Sequence, residues 1–162
     1  MIAWGESLAR QDGPSTLIFS RQNLPFIQRE APQIEDIKRG GYVLRDADEA
    51  RAVIIATGSE VELALKAQQQ LADEGLAVRV VSMPCTRLFD QQTRSYIEAV
   101  LPPNLPRVAV EAGVTDYWRK YVGLTGEVVG IDSFGESAPA SVLFEHFGIT
   151  SAAVVKAVKA VL

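Results

Sequence analysis

From residue 42 onward the apolar positions alternate between two kinds of spacing. Ala52-Val53-Ile54-Ile55-Ala56, Val78-Arg79-Val80-Val81-Ser82, Arg107-Val108-Ala109-Val110 and Glu127-Val128-Val129-Gly130-Ile131 are short, nearly continuous β-branched runs. Such runs fit strands covered on both faces. Between them lie helical patterns. Ser59 to Glu74 carries an apolar stripe of Val61, Ala64, Leu65 and Leu71. Ser59 with Glu62 matches a capping box, and Gly75 stands where a helix C-cap belongs. Asp90 is read as the cap of a helix running to about Val100, which Pro102-Pro103 stops. Further helices are expected near Asp116–Val122, over Pro139–Phe147, and from Ser151 to Leu162 behind Thr150.

Strand–helix alternation of this kind implies parallel strands joined by right-handed crossovers. Tyr42-Val43-Leu44-Arg45, the polar Asp46-Ala47-Asp48-Glu49 and the run from Ala52 read as a hairpin, making the first strand antiparallel. The expected fold is α/β: a three-layer α/β/α unit on a mixed five-stranded sheet, four strands parallel and the first antiparallel. Ahead of it the pattern differs. Ile2–Arg10 reads as the end of a helix, Gln11–Pro14 as a turn, and Thr16-Leu17-Ile18-Phe19 as a short buried strand. From Asn23 to Gly41 periodicity disappears, with Pro25 and Pro32 inside and Gly40-Gly41 at the end. Residues 1–22 are therefore assigned to one domain, 23–40 to a surface linker and 41–162 to a second domain.

Composition narrows the function classes. The net charge is −4 and no Lys/Arg cluster exceeds a pair, which argues against nucleic acid as a partner. No run approaches the ~18 apolar residues of a membrane span, and Met1–Glu6 lacks the basic and apolar parts of a signal peptide. Helix pattern already running at residue 2 is what a chain cut from a longer protein would show. One Cys and one His leave neither an internal disulfide nor a structural zinc site, and a cytoplasmic location is expected.

Few residues are placed for chemistry. Thr57-Gly58-Ser59-Glu60 joins a strand to a helix N-terminus, a place that holds phosphates in other folds. Here a single glycine and two acids, Glu60 and Glu62, read as an ordinary cap that complements the helix dipole. His146 beside Glu145 reads as a solvated helix residue, and Cys85 as a buried inert thiol. Glu111 ends a parallel strand, the edge of an α/β sheet where ligands bind. Against that stands a plain hydrogen bond or interface contact. Arg21 follows the apolar run 16–19 directly. Its planar fork suits bidentate phosphate binding, and a surface ion pair with Glu30 is the competing reading.

Taken in order, several segments resemble the transketolase family over nearly the whole length. They are Asp12-Gly13-Pro14 with Ser20-Arg21-Gln22-Asn23, Arg39-Gly40-Gly41-Tyr42-Val43-Leu44, Ala56-Thr57-Gly58-Ser59-Glu60-Val61, Arg79-Val80-Val81-Ser82-Met83-Pro84, Val110-Glu111-Ala112-Gly113, Tyr121-Val122-Gly123 and Phe134-Gly135-Glu136-Ser137-Ala138-Pro139. A bacterial-type member fits best. The resemblance implies that residues 1–22 are the tail of a pyrimidine-binding domain and 41–162 the family's C-terminal domain. It implies transfer of a two-carbon ketol unit from a ketose phosphate to an aldose phosphate, in the pentose phosphate pathway. Thiamine diphosphate and Mg2+ (or Ca2+) would serve the full-length homodimer. It also implies that Arg21 binds the sugar's phosphate. The family's Gly-Asp-Gly…Asn metal segment, its cofactor-activating glutamate and its substrate-binding histidines have no counterparts here. This chain alone is expected to be inactive, with no cofactor or metal of its own. Its part would be fold support, subunit contact and one substrate anchor. Deoxyxylulose-phosphate synthase and the dehydrogenase β-subunits share the architecture and are alternatives. So is a regulatory module holding a nucleotide or metabolite at the sheet edge near Gly58 and Glu111.

Overall fold

A computed structural model describes residues 2–162. Five strands form one mixed sheet: β1 (Tyr42–Arg45), β2 (Ala52–Ala56), β3 (Val78–Ser82), β4 (Arg107–Val110) and β5 (Glu127–Val129), in the order β1-β3-β2-β4-β5. β2 runs parallel to both β3 and β4, β4 runs parallel to β5, and β1 is antiparallel to β3. The expected mixed sheet with an antiparallel first strand is present, but the hairpin is not. β1 pairs with β3, through Tyr42↔Ser82 and Val43↔Val81. The reason is topological. The crossover from β2 lays β3 along one side of β2, and β4 takes the other. No edge of β2 is left for β1.

All five residues of β2 are buried, as a central parallel strand requires. Ala52, Ile54 and Ala56 face one layer and Val53 and Ile55 the other. The first layer holds α3 (Val61–Asp73) and α8 (Ser151–Val161); the second holds α4 (Thr86–Asp90), α5 (Arg94–Val100) and α6 (Arg119–Val122). α3 buries Val61, Ala64, Ala67 and Leu71. It ends as foreseen at Gly75 (φ 78°), with the Gly75 amide on the Ala72 carbonyl and Leu76 on Leu71, both 2.9 Å. Thr150 caps α8 by accepting from the Ala153 amide at 3.1 Å. Residues 140–161 pass a length-and-composition test for a membrane span. They are two helices, however, α7 (Ala140–His146) and α8, broken at Gly148 with φ 69°. The buried face of α8 packs in the layer with α3.

Two cap assignments change. A 3-10 turn over Gly58–Glu60 precedes α3, so Ser59 lies inside that turn. Its hydroxyl donates to Glu60, and Glu62 pairs with Lys66 at 2.6 Å, instead of the two forming a capping box. Asp90 closes α4 rather than opening α5. It accepts from the Tyr121 hydroxyl and the Lys120 ammonium, while Thr93 caps α5.

The leading segment differs most from expectation. α1 (Ile2–Ala9) forms, but residues 16–19 make no strand, and Ile18 and Phe19 are 91% and 64% exposed. A strand needs a ladder partner, and residues 16–19 pair with none of the five strands. Residues 31–39 are not featureless. α2 (Ala31–Asp36) starts with Pro32 in its first turn and runs into a 3-10 turn over Ile37–Arg39. Gln33 donates from its side chain to the carbonyls of Val43 and Leu44 (3.0 and 2.8 Å), closing part of the open edge of β1. Arg29 donates to the Tyr42 hydroxyl at 2.6 Å.

Candidate functional site at the sheet's C-terminal edge

Three strand ends converge at the carboxyl edge of the parallel strands. β2 leads into Thr57-Gly58-Ser59-Glu60, β3 into Met83–Arg87, and β4 into Glu111-Ala112-Gly113. The leading segment passes over this edge: a Cβ built on Gly58 would stand 4.0 Å from the Ser20 hydroxyl oxygen. Arg21 therefore lies in a bend next to the Thr57–Glu60 turn, exposed to solvent. Among the described residues it makes no side-chain hydrogen bond and no ion pair. The surface pair with Glu30 does not form. Glu30 instead opens α2, its amide donating to Gln33 Oε1 at 3.0 Å.

Glu111 is half-buried, and its carboxylate accepts from the Trp118 indole N–H. The hydrogen bond matches the plain structural reading of this residue, and Glu111 also lines a cavity at the carboxyl edge. Glu60 is the surprise. It is 5% exposed, although its sequence context suggests a solvated helix start. The 3-10 turn rotates it inward, where its carboxylate accepts from the Ser59 hydroxyl at 3.1 Å and lies close to the Ala112 amide. Burial pushes this carboxyl above the usual glutamate range, and the nearby charge of Glu111 adds to the push. A carboxyl raised in the folded state favours folding most at low pH. That contribution fades as pH climbs from the ordinary 4.5 through the folded value. The wild-type chain is therefore expected to gain thermal stability relative to Glu60→Gln as pH is lowered from 7 towards 4. Melting curves across that range check it, and a pH-independent difference would contradict it.

The remaining candidates lie apart. His146 is exposed at the end of α7, its ring edge-on to Phe147, as a solvated helix residue would be. Cys85 is half-buried rather than fully buried and lines the same cavity as Glu111. Arg87, Tyr117 and Trp118 also line it. Sequence inspection passes over these three. The usable signal was the aromatic pair Tyr117-Trp118 shortly after a strand-end acid. No group of three or more His, Cys, Asp or Glu side chains suited to a metal ion converges among the described residues.

Fold and edge together define a three-layer α/β domain with a ligand-type carboxyl edge, crossed by an arginine-bearing segment. A family model described as the transketolase-like TK C-terminal domain matches residues 40–150. A Cupriavidus necator transketolase (plasmid form) is 56% identical over 160 residues, covering 99% of this chain and 24% of the relative. Transketolase 2 of Vibrio vulnificus is 55% identical over 163 residues, with 99% and 25% covered. Among solved structures, a Pichia stipitis transketolase in complex with sedoheptulose 7-phosphate superposes with a TM-score of 0.78. It is 39% identical and covers 87% of this chain and 20% of that one. The chain belongs to the transketolase family, through its C-terminal domain. It spans about a quarter of the length of the curated relatives it matches.

Proposed function

We propose that this chain is the end of a transketolase that transfers a two-carbon ketol unit from a ketose phosphate to an aldose phosphate, and that Arg21 holds the substrate's phosphate. In this reading residues 1–22 complete a pyrimidine-binding domain, 23–40 connect, and 41–162 form the C-terminal domain. The observation that carries it is the placement of Arg21: a free, exposed guanidinium beside the carboxyl edge, in a chain of this family. The description of the Pichia stipitis relative, which names a bound sugar phosphate, supports the substrate class. The exposure of Leu8 (80%), Ile18 (91%) and Phe26 (91%) supports a covering domain, because apolar side chains gathered on one segment mark a contact surface.

The whole enzyme would use thiamine diphosphate and Mg2+, work as a homodimer and reside in the cytoplasm. The described residues do not fit that cofactor. Of the two carboxylates at the edge, one is tied to an indole and the other is buried on its own hydrogen bonds. No three His, Cys, Asp or Glu side chains converge among the described residues to hold a metal-bound diphosphate. Binding of the cofactor is accordingly assigned to the rest of the protein. Calorimetric titration of this chain with thiamine diphosphate and Mg2+ is expected to give no binding heat, and micromolar binding would overturn the assignment. The role of Arg21 is tested by substitution in the intact enzyme, comparing phosphorylated with unphosphorylated acceptors.

A further inference from the structure

The order β1-β3-β2-β4-β5 reverses direction at one place. From β2 the chain moves through α3 to β3 on one side, and from β4 through α6 to β5 on the other. The two crossovers lie in opposite layers. The ends of β2 and β4 therefore splay apart into a crevice, the topological switch point where open α/β sheets bind ligands. A cavity of about 330 Å³ opens there, with Thr57 from β2's end on one wall and Glu111 from β4's end on the other. Cys85, Arg87, Tyr117 and Trp118 are among its other lining residues, as is Thr86, whose hydroxyl shares a 2.6 Å hydrogen bond with that of Tyr117. The volume suits a small metabolite.

We infer that this crevice is a second ligand site, for a small zwitterion of the amino-acid type, with Arg87 taking the carboxylate and Glu111 the ammonium group. Arg87 makes no hydrogen bond or ion pair among the described residues, so its fork is available. Glu111 uses Oε2 for the Trp118 indole, and Oε1 makes no hydrogen bond. Glu60 stands behind Glu111, and Asp12 lies within electrostatic reach of Arg87. Asp12 is itself paired with Arg10 at 2.8 Å, so the charged groups lining the crevice are one cation, Arg87, and one anion, Glu111. That disfavours a nucleotide or sugar phosphate and leaves a balanced pair of charges as the matching chemistry. Tyr117, which is exposed, offers ring surface to an apolar side chain, while Trp118 behind it is buried. The inference is independent of the reading of Arg21, since it concerns ligand binding by this chain itself.

The test is calorimetry and amide-shift mapping on the 162-residue chain with four probes: L-phenylalanine, phenethylamine, 3-phenylpropionate and adenosine monophosphate. L-Phenylalanine is expected to saturate with a Kd on the order of 1 mM or tighter and to shift the amides of Thr57, Arg87 and Glu111. Each single-ended probe should bind about ten-fold more weakly, because one charge-assisted contact is lost. Arg87→Ala, an exposed position with no partner to disturb, should weaken L-phenylalanine about ten-fold and leave phenethylamine unchanged. Glu111→Gln should weaken phenethylamine. No saturable binding of L-phenylalanine would overturn the inference. Equal affinity for 3-phenylpropionate, indifference to Arg87→Ala, or preference for the nucleotide would each do the same.

Discussion

Arg21→Ala in the intact enzyme is expected to lower kcat/KM for phosphorylated sugars roughly ten- to a hundred-fold, and to leave an unphosphorylated acceptor such as glycolaldehyde nearly unaffected. The magnitude follows from the contact. A hydrogen bond to a charged group contributes about 1.5–3 kcal/mol, and each 1.4 kcal/mol is a factor of ten. The anchor would act far from the reacting carbons, supplying binding energy that holds the sugar in place for transfer. Arg21→Lys should recover only part of the loss, since an ammonium is a point charge and does not reproduce the two-pronged donor geometry. Arg21 is exposed and makes no side-chain hydrogen bond or ion pair among the described residues that its removal would break. A loss confined to phosphorylated substrates is thus a binding effect. Equal losses for both substrate types would assign Arg21 to folding or to the cofactor site, and the phosphate role would be withdrawn.

Gly40→Ala is expected to destabilise the chain by about 3 kcal/mol or more, a fall in Tm on the order of 10 °C for a protein of this size. Gly40 has φ 84° and its carbonyl accepts from the Cys85 amide at 2.9 Å. A Cβ there would stand 2.2 Å from the Cys85 carbonyl oxygen, 2.6 Å from the Phe89 nitrogen and 2.7 Å from Leu88 Cβ. Two of those three atoms are backbone and have no rotamer by which to retreat. Left-handed backbone strain adds to the clash. Gly75→Ala is the matched control. It has a similar φ of 78° with nothing within 4 Å of the added methyl, so only the backbone cost of about 1 kcal/mol remains. Equal melting shifts for the two variants would mean that the close approach of the loop after β3 to Gly40 is not rigid. The position matters beyond stability, because Gly40 joins the segment carrying Arg21 to the sheet.

Sequence spacing determines the parts of this protein whose forces are local. β2, β3 and β4 are legible because buried parallel strands demand continuous β-branched runs. The ends of α3 and α8 are legible because a left-handed glycine and a capping threonine act within one turn. Arg21 is legible as a candidate because it follows an apolar run directly and carries a guanidinium fork; the proposed phosphate role comes from the family resemblance. Partner choice is different, because it is decided between segments far apart in the chain. β1 lies close to β2 in sequence and pairs with β3, since the crossovers had already filled both sides of β2. Thr16–Phe19 has the composition of a strand and forms none, because no strand of this sheet pairs with it. Glu60 carries the marks of a solvated helix start. One 3-10 turn of tertiary origin buries it against the end of β4, where desolvation raises its carboxyl. The crevice between Thr57 and Glu111 belongs wholly to the tertiary level, because it exists only where two crossovers of the same hand leave the sheet in opposite directions.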